Sequence, residues 1–478
     1  MLDLKDHDAT SLAALVARGE LSATELLDDA LEKVDILNPK LNAIVMIRED
    51  IARKAIAAGL PDGPFRGVPF LLKDLGAEAV DYPSNNGSHL FANTCYPRDS
   101  AIFERMQDTG VVTFARTTSP EAGIGPATES AVYGGPTRNP WDLTRTSGGS
   151  SGGSGAAVAA GLVPLAHGSD GGGSVRIPAS SCGLFGFKAT RARFPDGPFV
   201  GEGWAGMAID GFLSRSVRDT AAMMDACEGP DAGAPYVAPP LNQGYLAAIA
   251  HPPKRLRIGL CETTFVGAPI HTDCRAAVTH AGKVLEDLGH HVAPMRPQAD
   301  HNGMMDAWTK IVACGTALTV RNGLAAKGRG LQQGDIEGIA KGAMTYAETI
   351  SGADYLAAVG TIHAYGREMA AAFDTCDIIL SATLAEPPAK VGRFAHNRED
   401  YVTFRTGEGG VFDYSPFCAV FNASGQPAAS VPLFQSAGGL PIGVHLAAAF
   451  GEDETLIALC SELEAADPWF DRRPPLFA

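Results

Sequence analysis

In the segment "TRTSGGSSGGSGAAVAAGL", residues 144–162, eight consecutive residues from 148 to 155 are only Gly or Ser, and an Ala-rich apolar run follows at once. Such a run either stays outside packed structure or puts backbone where side chains do not fit. Three readings compete: a flexible linker, a phosphate-holding loop, and part of a hydrolytic site. A linker joins separate units, whereas this run lies between the turn-rich "RNPWDL" and an apolar segment that has to pack. A Walker loop needs G-x-x-x-x-G-K-[ST], and no Lys lies between Gly148 and Gly168. Backbone N–H groups at a helix start still hold an anion without one. The literal G-x-S-x-G match at 148–152, with His167 or His445 as base, lacks the strand that must run into the serine of a nucleophile elbow.

The rest of the chain narrows the choice. With 478 residues, 45% hydrophobic and 19% charged, it has the composition of a globular protein with ample core. A formal net charge of −16 argues against nucleic acid and anionic membranes as partners. The first residues show no basic n-region followed by an apolar one, so no secretory signal is expected. No run of 18 strongly apolar residues predicts a membrane span. Nine scattered cysteines without a C-x-x-C pair read as reduced thiols, which predicts a cytoplasmic location. The twelve histidines offer no H-E-x-x-H, and His290 with His291 reads as the start of a strand. No metal or other cofactor is called for.

Local patterns predict an α/β architecture. "LSATELLDDALEKVDILNP" offers a capping box in Ser22 and Glu25, then Leu26, Leu27, Leu31 and Val34 on one face, ending near Pro39. "GVPFLLKDL" (67–75) is a short apolar run into a Lys-Asp pair, and "VVTFART" (111–117) is a β-branched strand. "AAVAAGLVPLA" reads as a buried helix. "LRIGLCE", "HTDCRAAVTHAGKVLEDLG" and "HHVAPM" form a β-α-β unit whose helix closes at Gly289. "DIILSAT", "AASVPLF" and "IGVHLAAAF" are buried strands, and "EGPDAGAPYVAPP" (228–240) is the most linker-like stretch. Strands alternating with helices place helices on both faces of a sheet.

A second Gly-rich turn follows in "LAHGSDGGGSVRIPASSCGLFGFKAT", residues 165–190, and it carries Ser174. The ordered pair of runs, "GGSSGGSGAAVAAGLVPLAHGSDGGGSVRIPASSCG", resembles the signature of the amidase signature family. "GVPFLLKDL" is similar to that family's lysine motif and "ATESAVYGGPTRNPWD" to its approach segment. "FNASGQPAASVPLFQSAGGLPIGVHLAA" and "PWFDRRP" resemble its C-terminal core. The likeness runs nearly end to end, with the signature core at about 61–215 and the least distinctive stretch at about 228–350. Within the family the wording is most similar to the 6-aminohexanoate cyclic dimer hydrolases, which open nylon-type cyclic amides. The resemblance implies a large mixed central sheet covered by helices on both faces (α/β/α), one domain over 1–478, and a homodimer. It implies a small-molecule amide, cyclic or linear, as substrate.

The same resemblance assigns roles to residues. It implies a Ser–cis-Ser–Lys triad of Ser174 as nucleophile, Ser150 as relay and Lys73 as base, with a cis peptide between Gly149 and Ser150. A serine hydroxyl needs a positioned base, and Lys73 must be neutral to serve, which burial behind "VPFLL" favours. Asp74 is expected to point away. Backbone N–H groups of Gly171, Gly172, Gly173 and Ser174 are the expected oxyanion donors. The family more often has a larger residue at 171, so Gly171 predicts a looser loop. Ser151 is expected to support, Asp170 and Arg176 to pair and brace the turn, and Cys182 to fill core. Cys314 is carried as a possible pocket residue, the alternative being core. Three functions remain: an amide hydrolase, an amidotransferase subunit supplying ammonia to a tRNA-dependent partner, and a non-catalytic anion-binding module.

Overall fold

A computed structural model describes residues 4–478. The helix Ala23–Leu41 opens on the expected capping box: Ser22 Oγ accepts from the Glu25 N–H and Glu25 Oε2 accepts from the Ser22 N–H. It runs past Pro39 because its stop is Asn42, whose φ of 51° turns the chain left-handed. The Asn38 amide then ties the end to Ala43 and Ile44.

Eleven strands form one sheet: β1 Ile44–Val45, β2 Pro69–Lys73, β3 Val112–Thr117, β4 Leu165–Asp170, β5 Phe185–Lys188, β6 Ile209–Ser214, β7 Arg257–Leu260, β8 His291–Pro294, β9 Ile378–Ala382, β10 Ala428–Gln435 and β11 Pro441–Ala448. Their order is β1-β3-β2-β4-β6-β5-β10-β11-β9-β7-β8. The sheet is mixed. β2 runs parallel to β3 and β4, whereas β4 through β9 in that spatial order pair antiparallel. The expected β-α-β unit is there: β7 and β8 are parallel, joined by the helix Thr272–Asp287, which closes at Gly289 with φ 92°. Strand alternation sends Phe70 and Leu72 into one core layer and Leu71 into the other, so both faces are covered.

The segment read as one buried helix divides. Its helix begins inside the Gly/Ser run, Gly152–Ala159, and the chain turns at Gly161 (φ 76°) before β4 starts at Leu165. A Cβ at Gly153 would lie 2.4 Å from the Thr118 amide nitrogen, so the helix packs backbone against the end of β3. The glycines therefore permit close packing, which answers the linker reading. The stretch 228–240 has no helix or strand, but Arg105 holds its start by donating to the carbonyls of Cys227, Glu228, Gly229 and Pro230.

Candidate active site

Two turns and a strand end converge at one end of β2 and β4. Lys73 ends β2 on the same side of the sheet as Leu71, which packs with Ala156 and Ala157 of the Gly152–Ala159 helix. That side faces the Gly/Ser turn. Lys73 Nζ donates to Ser150 Oγ at 2.7 Å and to Ser169 Oγ at 2.8 Å. The Gly149–Ser150 peptide is cis. Lys73 is fully buried, and burial pushes its ammonium down to about 7 against weaker opposing fields from Asp210 and Asp170. Asp74 turns away: its carboxylate accepts from the Asn85 N–H and the Tyr133 hydroxyl. Burial raises that carboxyl to about 6, opposed by Arg116.

Ser174 stands at the end of the second turn, 9% exposed, and its hydroxyl makes no hydrogen bond among the described residues. The Ser150–Ser174 link expected for the relay is thus not hydrogen-bonded here, as is common where substrate completes the geometry. Ser151 braces both turns. Its N–H donates to the Ser174 carbonyl at 3.1 Å, and its hydroxyl exchanges hydrogen bonds with the Ser169 backbone.

One oxyanion assignment needs correction. The Gly173 N–H is donated to Asp170 Oδ1 at 2.7 Å and is therefore taken, leaving the amides of Gly171, Gly172 and Ser174 as candidate donors. Asp170 also accepts from the Val175 N–H and forms a two-point ion pair with Arg176, Nε to Oδ2 at 3.0 Å and Nη2 to Oδ1 at 2.9 Å. Both residues are fully buried. Burial alone would raise the Asp170 carboxyl, but Arg176 and the Asn422 amide outweigh it and hold it well below the usual carboxylate range. Arg176 also donates to the Cys418 carbonyl, Asn422 Oδ1 and His445 Nε2. His445 is consequently a structural acceptor, pushed well below its ordinary range by burial and by Arg176. His167 likewise is engaged, with Asp210 at 3.0 Å.

The looser loop expected from Gly171 is also corrected. A Cβ there would meet Trp204 Cζ3 at 2.6 Å, because the indole occupies the space a larger residue would fill. Trp308 covers Gly172 and donates from Nε1 to the Gly171 carbonyl at 3.3 Å. The two indoles meet edge to face with centroids 5.7 Å apart.

Beside Ser174 lies a tight cavity of ≈ 20 Å³, room for about one water, whose far wall is Trp308, Arg405, Phe412 and Ser415. The sequence alone points only to broad pocket segments, near 120–130, 200–210 and 305–420, which hold Trp308, Arg405, Phe412 and Ser415. It singles out none of the four, nor Ser169, since none sits in a motif. Cys314, on the helix His301–Ala326, is half-buried and does not line this cavity, and Cys182 is core. Among the described residues, no three His, Cys, Asp or Glu side chains gather as a metal site, and no helix is long and apolar enough to cross a membrane.

Residues 25–457 match the family model described as Amidase. The 6-aminohexanoate-cyclic-dimer hydrolase of Paenarthrobacter ureafaciens is 36% identical over 98% of this chain and 97% of that protein. A solved 6-aminohexanoate cyclic dimer hydrolase complexed with substrate superposes with a TM-score of 0.93 at 35% identity, covering 100% of both chains. A bacterial aryl acylamidase of the amidase signature family superposes with a TM-score of 0.86 at 28% identity over 98% of each chain. With the sheet, the two glycine turns and these likenesses in agreement, the chain belongs to the amidase signature family and is an amide C–N hydrolase.

Proposed function

We propose that Ser174, Ser150 and Lys73 carry out the amide hydrolysis, through an acyl-enzyme on Ser174. The observation that carries this reading is the 2.7 Å contact between Ser150 Oγ and a buried lysine whose amine is half neutral near pH 7. In the cycle, neutral Lys73 Nζ takes the Ser150 hydroxyl proton while Ser150 Oγ takes that of Ser174. Ser174 Oγ bonds to the amide carbon, and the carbonyl oxygen becomes an anion held by the N–H groups of Gly171, Gly172 and Ser174. The C–N bond then breaks as the relay returns a proton to the nitrogen, releasing amine or ammonia. Water attacks the Ser174 ester by the same relay and frees the acid. Ser151 and the Asp170–Arg176 pair act as positioning groups, because they fix the two turns rather than touch the amide.

Full-length likeness to cyclic dimer hydrolases supports small cyclic or linear amides as substrates. One catalytic domain over the whole chain and a homodimer complete the proposal, as the family resemblance implies. Unpaired cysteines at all nine positions suit a reducing cytoplasm. The test is a panel of cyclic and linear amides assayed for released amine or ammonia with Ser174→Ala as the blank. Turnover by the wild type and its loss in the variant support the triad; a fully active Ser174→Ala enzyme overturns it. Light scattering at micromolar concentration tests the dimer.

A further inference from the structure

Arg405 is 2% exposed, and two of its nitrogens, Nε and Nη2, are buried without a hydrogen-bond partner. Its guanidinium rests over the rings of Trp308 at 5.0 Å, Tyr401 at 5.3 Å and Phe404 at 5.4 Å. Ring faces attract the cation from above, and the Tyr401 phenol oxygen also acts on the guanidinium as a hydrogen-bond partner, but Nε and Nη2 are left without an acceptor. Burial lowers the Arg405 pKa, and the titratable neighbour that acts on it is the Tyr401 phenol, not a carboxylate. A buried charge of this kind is costly unless an anion meets it.

Two further observations point the same way. Arg405 lines the cavity that Ser174 lines, and so does Ser415, whose buried hydroxyl has no oxygen or nitrogen partner and only the weak Cys418 thiol beside it. The remaining wall, including Ile177, Trp204, Trp308, Val411 and Phe412, is apolar, and the indoles and Phe412 have to swing outward for a hydrocarbon spacer to enter. Moreover, the Nε and Nη2 edge is the one on which a guanidinium takes a carboxylate through two parallel hydrogen bonds. Arg176 uses that same edge on Asp170.

We propose that this cavity selects amides bearing a second group, a carboxylate, held by Arg405 and Ser415 while the amide carbon lies at Ser174. The inference rests on the Ser174 reading above and names its substrate class. The carboxylate belongs either to the acyl part or to the amine part, and the two arms of the test distinguish them.

In the acyl arm, succinamic, glutaramic and adipamic acids are compared with butanamide, pentanamide and hexanamide. In the amine arm, N-acetyl-6-aminohexanoate is compared with N-hexylacetamide. The wild type is expected to favour the carboxylate member of one arm by at least about 100-fold in kcat/KM. Arg405→Gln should erase that preference while leaving the neutral partner within about threefold, and Ser415→Ala should reduce it about tenfold. Equal rates on charged and neutral members in both arms overturn the proposal, as does a preference that survives Arg405→Gln. A variant that slows both members equally marks Arg405 as structural and overturns it too. If Arg405→Gln does not fold, the wild-type comparison still decides, together with inhibition by glutarate measured against 1,5-pentanediol. Hydrolysis of neutral amides alone defeats this proposal and spares the triad; no hydrolysis of any amide defeats both.

Discussion

Two fully buried arginines flank the nucleophile turn, and their surroundings are opposite. Arg176 meets Asp170 through two hydrogen bonds and spends its other donors on Asn422, the Cys418 carbonyl and His445. Arg405 has three aromatic rings around it and two nitrogens without an acceptor. The first belongs to the wall that holds Ser174 in place; the second belongs to the wall that faces what Ser174 attacks. A satisfied buried charge makes a fixed structure, whereas an unsatisfied one leaves binding energy for a ligand. The two walls should therefore fail in different ways when altered.

The largest difference is expected at the reacting groups. Lys73→Met removes the proposed base and places an apolar chain in a site that is already fully buried. Turnover should fall by roughly 10³-fold or more on every amide, charged or neutral, with the fold retained. A loss confined to carboxylate-bearing substrates would merge the two walls and break the comparison. Single-turnover kinetics on one neutral and one charged amide provide the check.

Next come the arginines themselves, read through stability. Asp170→Asn leaves the Arg176 charge buried without its anion, and the urea midpoint should report a loss of about 3–5 kcal/mol. Arg405→Met removes a charge that has no anion to lose. Forfeited ring contacts, at about 0.5–2 kcal/mol, and relieved desolvation work against each other, so stability should change by about 1 kcal/mol or less. If Arg405→Met costs as much as Asp170→Asn, Arg405 braces the fold and the contrast fails.

The pH profile sharpens the catalytic wall. Lys73 has its folded value lowered to about 7 by burial, and only its neutral form accepts a proton. Activity is thus complete above that value and lost as pH falls through it. Expected kcat/KM drops about tenfold per unit below pH 7 on the neutral amide, where no substrate charge contributes. A flat profile down to pH 5 on that substrate would remove Lys73 as the base.

How legible these walls were follows from the kind of signal each leaves in a sequence. Ser150 and Ser174 lie in glycine runs whose backbone approaches other backbone, so the two turns are written in residue types, while the choice of these serines within them came from the family resemblance. Lys73 was legible only through the likeness of "GVPFLLKDL" to the family's lysine motif, while β-branched or apolar runs marked most of the sheet. Arg405, Trp308 and Ser415 come from helices and turns that pack by side-chain shape, and no local pattern says which helical arginine will be buried without an anion. The Gly173 amide shows the same limit on a smaller scale. Four successive N–H groups look equivalent in "GGGS", and only the position of the Asp170 carboxylate shows that one is already taken.

The smallest expected effect probes the contact between the walls. Gly171 belongs to the nucleophile turn, and Trp204 lies against it where a side chain would otherwise be. Gly171→Ala puts a methyl 2.6 Å from the indole Cζ3, so the ring has to shift. Trp204 is only half-buried, which lets it move, and the cost should lie near 1 kcal/mol, at the low end of overpacking. Its edge-to-face partner Trp308 covers Gly172, so the shift should also reach the candidate oxyanion amides. Adding Trp204→Ala to Gly171→Ala should therefore recover most of the lost stability. A double-mutant cycle showing no coupling would mean that the indole and the turn do not hold one another. The turn's order would then come from the Asp170–Arg176 pair alone.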